Sequence, residues 1–481
     1  MASLENHNIH VLFLPYFASS HLIPLIDAAL LFASRDGVKV SIITTPYNAA
    51  MFQSSVDNSI NSGHQIAIHS IKFPSEQVNL PEGIENLNTT TTLEEFFKVW
   101  QAIELIREPT KNLIRSLSPD CIFSDMFYPW TVDLALELNI PRLMFFASSF
   151  FYQCIRHNLK LYAPYNNMDE SSGTDFFSNP ELPDNIKMKK SQLPNHFLSK
   201  TQFGEYLKVV EESQTQSYGT VHDTFFELEP AYVDLYKKTI SKKSWHIGPL
   251  FHFSERNEVQ VSGKNTSSYQ HCLNWLDAQK PKSVVYVCFG SMAKFSDRQL
   301  TEILQALNAS KTPFILVTNK SVSILGDVFD ENKGIIINGW APQIKILNHV
   351  AVDGFMTHCG WNSVLEAMVA GVPLITWPLF AEQFFNERLI IQILGNGVEV
   401  GSDVWNSTWE IKSPVIYKQK IKKAVVRLMG GSDESEMIRR RATEISVIAN
   451  HAPEEGGSSY NDLAALIQDI KDLTLRPRKN S

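Results

Sequence analysis

The sequence predicts an α/β protein built from two doubly wound domains, each a parallel sheet with helices on both faces. The chain has 481 residues, too many for one hydrophobic core and suited to two domains of roughly 200–250 residues. Short β-rich apolar runs alternate with longer amphipathic stretches, the pattern of strand–helix–strand units. One polar stretch, Asn257–Ser268, interrupts the alternation and reads as a surface linker.

The first series opens with a strand at Ile9–Leu14 and a helix from about Ile23 to Ser34. A second strand, Val38–Thr45, is ended by Pro46. Further strands are expected at Gln65–Ile71, Cys121–Ser124 and Arg142–Phe146, with helices at Leu93–Leu117 and Pro129–Leu138. The second series places strands at Ser283–Cys288, Pro313–Val317, Gly334–Ile337, Gly354–Thr357 and Leu374–Thr376. The expected organisation is an N-terminal domain over 1–245, a linker over 246–270, a C-terminal domain over 271–455 and a last helical segment over 456–481. Open parallel sheets bind ligands at the carboxyl ends of their strands. Two facing domains of this kind would leave a cleft between them, with one ligand carried by each side.

Composition narrows the function. Hydrophobic residues make up 44% of the chain and charged residues 20%, an ordinary globular balance. A net charge of −8 lacks the basic excess of nucleic-acid binders, so no nucleic-acid partner is expected. No run approaches the roughly 18 apolar residues of a membrane span. The start, Met-Ala-Ser-Leu-Glu-Asn, lacks the charge and apolar run of a secretory signal. Five scattered cysteines without a CxxC pair read as reduced thiols. These features together lead to the expectation of a cytoplasmic enzyme acting on small molecules; a monomer is expected, although none of these features bears on it.

Three strand ends in the second series carry the chemistry. Trp340-Ala341-Pro342-Gln343 follows the strand Gly334–Ile337 and offers a rigid flat face on which a planar base could stack. Thr357-His358-Cys359-Gly360-Trp361-Asn362-Ser363 reads as strand, tight turn and helix, with Gly360 permitting the turn and Asn362 or Ser363 suited to N-cap the helix running to Ala370. A helix N-terminus with His358 beside it suits a phosphate. Glu366 lies one turn beyond Ser363, on the same face, where a carboxylate could accept bonds from ribose hydroxyls. Glu382-Gln383, after Leu374–Thr376, pairs a carboxylate with a carboxamide, a combination suited to the hydroxyls of a hexose.

This 44-residue stretch, Trp340 to Gln383, resembles the signature box of the plant family-1 UDP-glycosyltransferases in length and in its spaced residues. The resemblance implies a GT-B type fold and an inverting transfer from a UDP-sugar. It implies that Trp340 stacks on uracil, Ala341 reads its edge through the backbone, and Gln343 and Glu366 bind ribose. His358, Asn362 and Ser363 would hold the diphosphate, with Ser291 from the Phe-Gly-Ser turn. Trp361, Glu382 and Gln383 would contact the sugar. A closing Gln goes with glucose in that family, so UDP-glucose is the expected co-substrate and no separate cofactor is expected, nor a metal. Glu382 departs from the family's usual Asp, keeping the charge on a longer arm. The last helix, about Tyr460–Ile470, would return to pack on the N-terminal domain.

The first series holds candidates for the catalytic pair. His21 follows the first strand, in Ser20-His21-Leu22, and Asp125 follows another, in Ser124-Asp125-Met126. An acceptor hydroxyl needs a base as it attacks, and His is the usual one. An Asp on the far ring nitrogen fixes its tautomer. The family's His–Asp dyad falls on these residues, although Ser20 stands where many relatives have Gly. Tyr16, Phe17, Phe127 and Phe150, with Phe380 from the second domain, are candidates to line a hydrophobic acceptor site. Segments outside the box, such as Asp120–Met126 and Ser217–Asp234, are similar to the enzymes that glycosylate steroidal alkaloids, steroidal sapogenins and triterpenoids. The alternatives are a flavonoid or phenolic O-glucosyltransferase and an inactive sensor of nucleotide sugars. A dinucleotide-dependent dehydrogenase is disfavoured, because no Gly-x-Gly-x-x-Gly follows a strand.

Overall fold

All six residues of the first strand, Ile-His-Val-Leu-Phe-Leu, are buried, as a parallel strand covered on both faces requires. Their side chains divide by the two-residue period of a strand. Ile9, Val11 and Phe13 enter one hydrophobic cluster, whereas Leu12 and Leu14 enter another on the opposite face. The computed structural model describes residues 8–167, 176–252, 266–320, 329–330, 332–407, 411 and 413–475.

In chain order the strands are β1 (Ile9–Leu14), β2 (Val38–Thr44), β3 (Gln65–Ser70), β4 (Cys121–Asp125), β5 (Arg142–Phe146), β6 (Phe176–Ser178), β7 (Lys187–Lys189), β8 (Gly219–His222), β9 (Ser244–His246), β10 (Val284–Cys288), β11 (Phe314–Thr318), β12 (Gly334–Asn338), β13 (Val352–Thr357), β14 (Leu374–Thr376) and β15 (Gly397–Glu399). Thirteen of them form a seven-stranded sheet of order β3-β2-β1-β4-β5-β8-β9 and a six-stranded sheet of order β12-β11-β10-β13-β14-β15, and β6 and β7 form a separate antiparallel pair. Every pairing in both sheets is parallel. The direction of winding reverses between β1 and β4 in the first sheet and between β10 and β13 in the second. Reversal points are where an open sheet leaves a crevice at its carboxyl edge.

The chain divides into two compact units. Unit 1 draws on Met1–Phe150, Thr201–Gln260 and Ala452–Ser481, and unit 2 on Phe151–Lys200 and Val261–His451. Three expected boundaries change. Phe151–Lys200 packs with unit 2 instead of belonging to a continuous 1–245 body. Backbone and side-chain bonds explain this: Gln392 bonds both ways to Lys187, at 3.1 and 3.0 Å, and Lys189 pairs with Asp403 at 3.0 Å. The expected linker begins too early, because Ile247 and Leu250 are core residues of unit 1. Residues 253–265 of that linker lie outside the described residues, and a helix, Thr266–Asp277, occupies its end. The helix Ser458–Thr474 adds Leu463, Leu466, Ile467 and Ile470 to the unit 1 core, and Asp462 accepts from the His246 backbone N–H at 3.0 Å.

The single helix expected over Leu93–Leu117 is two. Leu93–Leu105 starts at a reciprocal cap in which Thr92 and Glu95 satisfy each other's backbone N–H groups. It ends at Ile106, and Arg107–Leu117 follows with Pro109 in its first turn, where a missing N–H costs nothing.

Candidate active site

Because β1 and β4 are parallel neighbours, the loops after Leu14 and Asp125 leave the sheet side by side. His21 stands in the first turn of the helix Ser19–Ala33. Its Nδ1 lies 2.9 Å from Asp125 Oδ2, and Asp125 Oδ1 accepts the Phe127 N–H at 2.9 Å. The Asp125 side chain is fully buried, whereas the His21 side chain keeps 23% of its surface exposed. An ionised carboxylate only accepts, so Nδ1 carries the proton and Nε2 is the basic nitrogen.

Aromatic rings extend from this pair. The His21 ring centroid is 5.1 Å from Phe127 and 6.1 Å from Tyr16. Phe127 in turn meets Tyr206 at 6.2 Å and Phe203 at 6.3 Å, and Tyr206 meets Trp100 edge-on at 5.7 Å. The Tyr206 hydroxyl donates to the Phe127 carbonyl at 2.6 Å. Burial pushes both the Tyr16 and Tyr206 hydroxyls above the ordinary tyrosine range, so both stay neutral. Trp100, Phe97 and Phe203 are 38%, 55% and 51% exposed, so each leaves apolar ring surface open to solvent. Trp100, Phe97, Phe203 and Tyr206 were not among the sequence candidates. The available signal was the spacing of three between Phe97 and Trp100, and between Phe203 and Tyr206, which puts each pair on one helix face.

Two acceptor candidates lie elsewhere. Phe150 is fully buried, its ring stacked on His222 at 4.0 Å and edge-on to Tyr236 at 4.9 Å, so it is core. Phe17 is also buried and lines a small crevice of about 10 Å³ with Leu14, Ile43, Ile103 and Trp130.

In unit 2 the reversal point lies between β10 and β13, and His358 sits there. A Cβ on Gly360 would stand 2.6 Å from His358 Nε2, and one on Gly290 3.0 Å from the same atom. Only residues without side chains leave the imidazole room, and Gly290 also holds a left-handed φ of +73°. Cys359 adopts φ +66°, a strained value for a side-chain-bearing residue, and its carbonyl accepts from buried Asn386 Nδ2 at 2.9 Å. Although partly exposed, His358 is enclosed enough that loss of hydration lowers its pKa to about 4. It is therefore a neutral donor at physiological pH.

The helix Trp361–Ala370 begins two or three residues earlier than an N-cap at Asn362 or Ser363 would place it. Gly360 is its N-cap, with φ −61° and ψ 138°, and no side chain caps it. Asn362 and Ser363 stand inside the first turn instead of at the cap, because the Cys359–Gly360 turn already starts the helix. Gln343 Nε2 donates to Ser363 Oγ at 2.9 Å and to Glu366 Oε2 at 2.7 Å, while Tyr286 donates to its oxygen at 3.4 Å. Three residues from two strand ends are thus one network. Trp340 is 44% exposed after β12, with Ala341 buried beside it. Ser291 is exposed after β10.

After β14, Gln383 is buried, and its Oε1 accepts from the backbone N–H groups of Leu379 and Phe380, each at 3.0 Å. That fixes the amide orientation and directs its N–H₂ away from them. Half-buried Glu382 is the N-cap of the helix Gln383–Arg388. Trp361 is 2% exposed, so its ring is held in the core. Phe380 lies 6.4 Å from the His358 ring. From β12 to β14 the sheet spans four strand spacings, about 19 Å, a shape suited to an elongated ligand. Among the described residues no group of three His, Cys, Asp or Glu side chains is placed to hold a metal ion, and no helix is long and apolar enough to cross a membrane.

Comparison with known proteins agrees with this architecture. The UDP-glucoronosyl and UDP-glucosyl transferase family matches residues 111–409. The chain is 50% identical to nuatigenin 3-beta-glucosyltransferase of Solanum aculeatissimum, covering 98% of each protein. It is also 50% identical to solanidine UDP-glucose glucosyltransferase 1 of Solanum tuberosum, covering 99% of this chain and all of that one. The crystal structure of Glycyrrhiza uralensis UGT73P12 complexed with glycyrrhetinic acid 3-O-monoglucuronide superposes with a TM-score of 0.90 at 38% identity, covering 97% of this chain and 96% of that one. With its two Rossmann-like units and its strand-end residues, the chain belongs to the UDP-glucoronosyl and UDP-glucosyl transferase family and is a UDP-glycosyltransferase.

Proposed function

We propose that the protein transfers glucose from UDP-glucose to a hydroxyl of a steroidal acceptor, a sapogenin or alkaloid, with inversion at the anomeric carbon. The observation that carries the mechanism is the 2.9 Å bond between His21 and fully buried Asp125, at the reversal point of the unit 1 sheet. His21 Nε2 takes the acceptor proton as the acceptor oxygen forms its bond to the anomeric carbon. The bond from that carbon to the diphosphate oxygen breaks, and UDP leaves with the electron pair. Asp125 stabilises the imidazolium that forms, which then releases its proton to solvent. General-base assistance of this kind contributes about 10²–10⁴-fold.

In unit 2, exposed Trp340 supplies a stacking face for uracil, and the Gln343–Ser363–Glu366 network offers acceptors and a hydroxyl for ribose. His358 and the uncapped helix start bind the diphosphate and stabilise the leaving UDP. Gln383, with its amide orientation set, and Glu382 read the hexose. The aromatic surface of Phe127, Trp100, Phe203 and Tyr206 supports a large, rigid, apolar acceptor. The two relatives at 50% identity, named for nuatigenin and solanidine, support the steroidal class. The enzyme is proposed to act as a cytoplasmic monomer.

The test is product formation by purified protein with UDP-glucose, UDP-galactose or UDP-glucuronate against sapogenins, steroidal alkaloids, triterpenoids and flavonols, followed by mass spectrometry. Preferred formation of a steroidal monoglucoside is expected. Preference for a flavonol, or for another sugar, would displace the steroidal or the glucose assignment respectively.

A further inference from the structure

Arg142 is a buried guanidinium whose hydrogen bonds, among the described residues, run to hydroxyls and one carbonyl, and to no carboxylate. It stands at the start of β5, only 2% exposed. Its Nε donates to Ser124 Oγ at 3.0 Å and Thr131 Oγ1 at 3.1 Å, and one terminal nitrogen donates to Ser217 Oγ at 2.7 Å. The other terminal nitrogen donates to the Asp125 backbone carbonyl at 3.4 Å. A buried cation is costly unless a counter-charge is near. The nearby anion acting on it is Asp125, itself fully buried and bonded to the His21 imidazole and a backbone N–H.

We infer that Arg142 is a positioning residue for the His21–Asp125 pair: it balances the buried Asp125 charge in the resting enzyme and fixes the strand end that carries it. The inference rests on the proposed role of His21 as base. The arrangement has a consequence for proton affinity. With Arg142 in place, protonating His21 leaves the group of three with a net positive charge. Without it, the imidazolium–carboxylate pair is neutral and His21 holds a proton more readily. Arg142 thus keeps His21 free to accept a proton at physiological pH. The other ionisable groups around the pair are Tyr16, Tyr128 and Tyr206, all held neutral by burial, with Glu104 and Arg107 acting at longer range. None of them supplies a buried positive charge beside Asp125. Burial lowers Arg142 to about 9, so it stays charged at physiological pH.

The experiment is the pH profile of kcat/KM for the wild type, Arg142→Met, Ser124→Ala and His21→Ala. For charges on the order of 10 Å apart at an effective dielectric near 20, Arg142→Met should move the acidic limb upward by roughly one pH unit. Ser124→Ala removes a bond to the guanidinium but keeps its charge. It should lower the rate and leave the limb in place, whereas a purely structural Arg142 would give both variants the same profile shape. An unmoved limb in Arg142→Met, with His21→Ala inactive, overturns the Arg142 inference alone. Normal turnover by His21→Ala overturns the base assignment itself. Should Arg142→Met unfold, thermal denaturation of Asp125→Asn and the double variant decides the matter. Charge balance predicts that Arg142→Met harms the Asp125→Asn protein less than the wild type; simple additivity would refute it.

Discussion

Gly360→Ala adds one methyl group and tests how His358 is seated. The backbone tolerates it, because φ −61° and ψ 138° are ordinary extended values for any residue. Alanine is a poorer N-cap than glycine, so stability should fall by about 1 kcal/mol or less. The new Cβ would stand 2.6 Å from His358 Nε2 and 3.1 Å from Cε1. Ordinary contact needs about 3.5–4 Å, so the ring must shift by roughly 1 Å. It must therefore leave its position and with it the hydrogen bond proposed to the diphosphate. A hydrogen bond to a charged group is worth about 1.5–3 kcal/mol, a loss of roughly 10–150-fold in affinity. Titration calorimetry with UDP reads this directly, and a thermal melt without ligand monitors the fold. In a His358→Ala background the same glycine change should add almost nothing, since the two act through one contact. Unchanged UDP affinity in Gly360→Ala, or full additivity with His358→Ala, would refute the reasoning.

Asp125→Asn should leave UDP affinity intact and lower kcat by about 10²-fold or more, because the His21 tautomer and its imidazolium lose their support; steady-state kinetics beside UDP calorimetry separate the two effects. Trp100→Ala should raise KM for a steroidal acceptor several-fold with little change in KM for UDP-glucose, and an increase in the donor KM instead would place Trp100 on the wrong side of the chemistry. His358 begins neutral, with a pKa near 4, and a bound diphosphate favours its protonated form. UDP binding should therefore take up protons, and affinity should rise as pH falls from 8 towards 6; calorimetry in buffers of different ionisation enthalpy measures the uptake, which His358→Ala should reduce.

What was legible in the sequence was local. Apolar runs ending in Gly, Pro or polar clusters marked the strands, and the reversal-point residues sit directly after them. His21, Asp125, Trp340 and His358 are therefore legible at strand ends from the sequence alone. The helix cap at Gly360 lies two or three residues before the position that cap preference favours, since that preference is weaker than the turn imposed by Cys359. The break at Ile106 was missed because the apolar period runs on through it. What could not be read depends on distant partners. Trp100 and Tyr206 are separated by more than a hundred residues, and in sequence each resembles any core aromatic on an amphipathic helix. Phe150 shows the converse, an aromatic near the site in sequence that His222 and Tyr236 draw into the core. The attachment of Phe151–Lys200 to unit 2 rests on single bonds such as Lys187 to Gln392, which no periodicity announces. Arg142 reads as an unremarkable strand residue until its three hydroxyl partners are assembled around it.

The most direct test of the central claim is to incubate wild type and His21→Ala with UDP-glucose and a steroidal sapogenin, and to assign the product's anomeric configuration by NMR. A β-glucoside from the wild type, with turnover in His21→Ala reduced by about 10²–10⁴-fold, is the predicted result. An α-linked product, or near-normal turnover by folded His21→Ala, would contradict it.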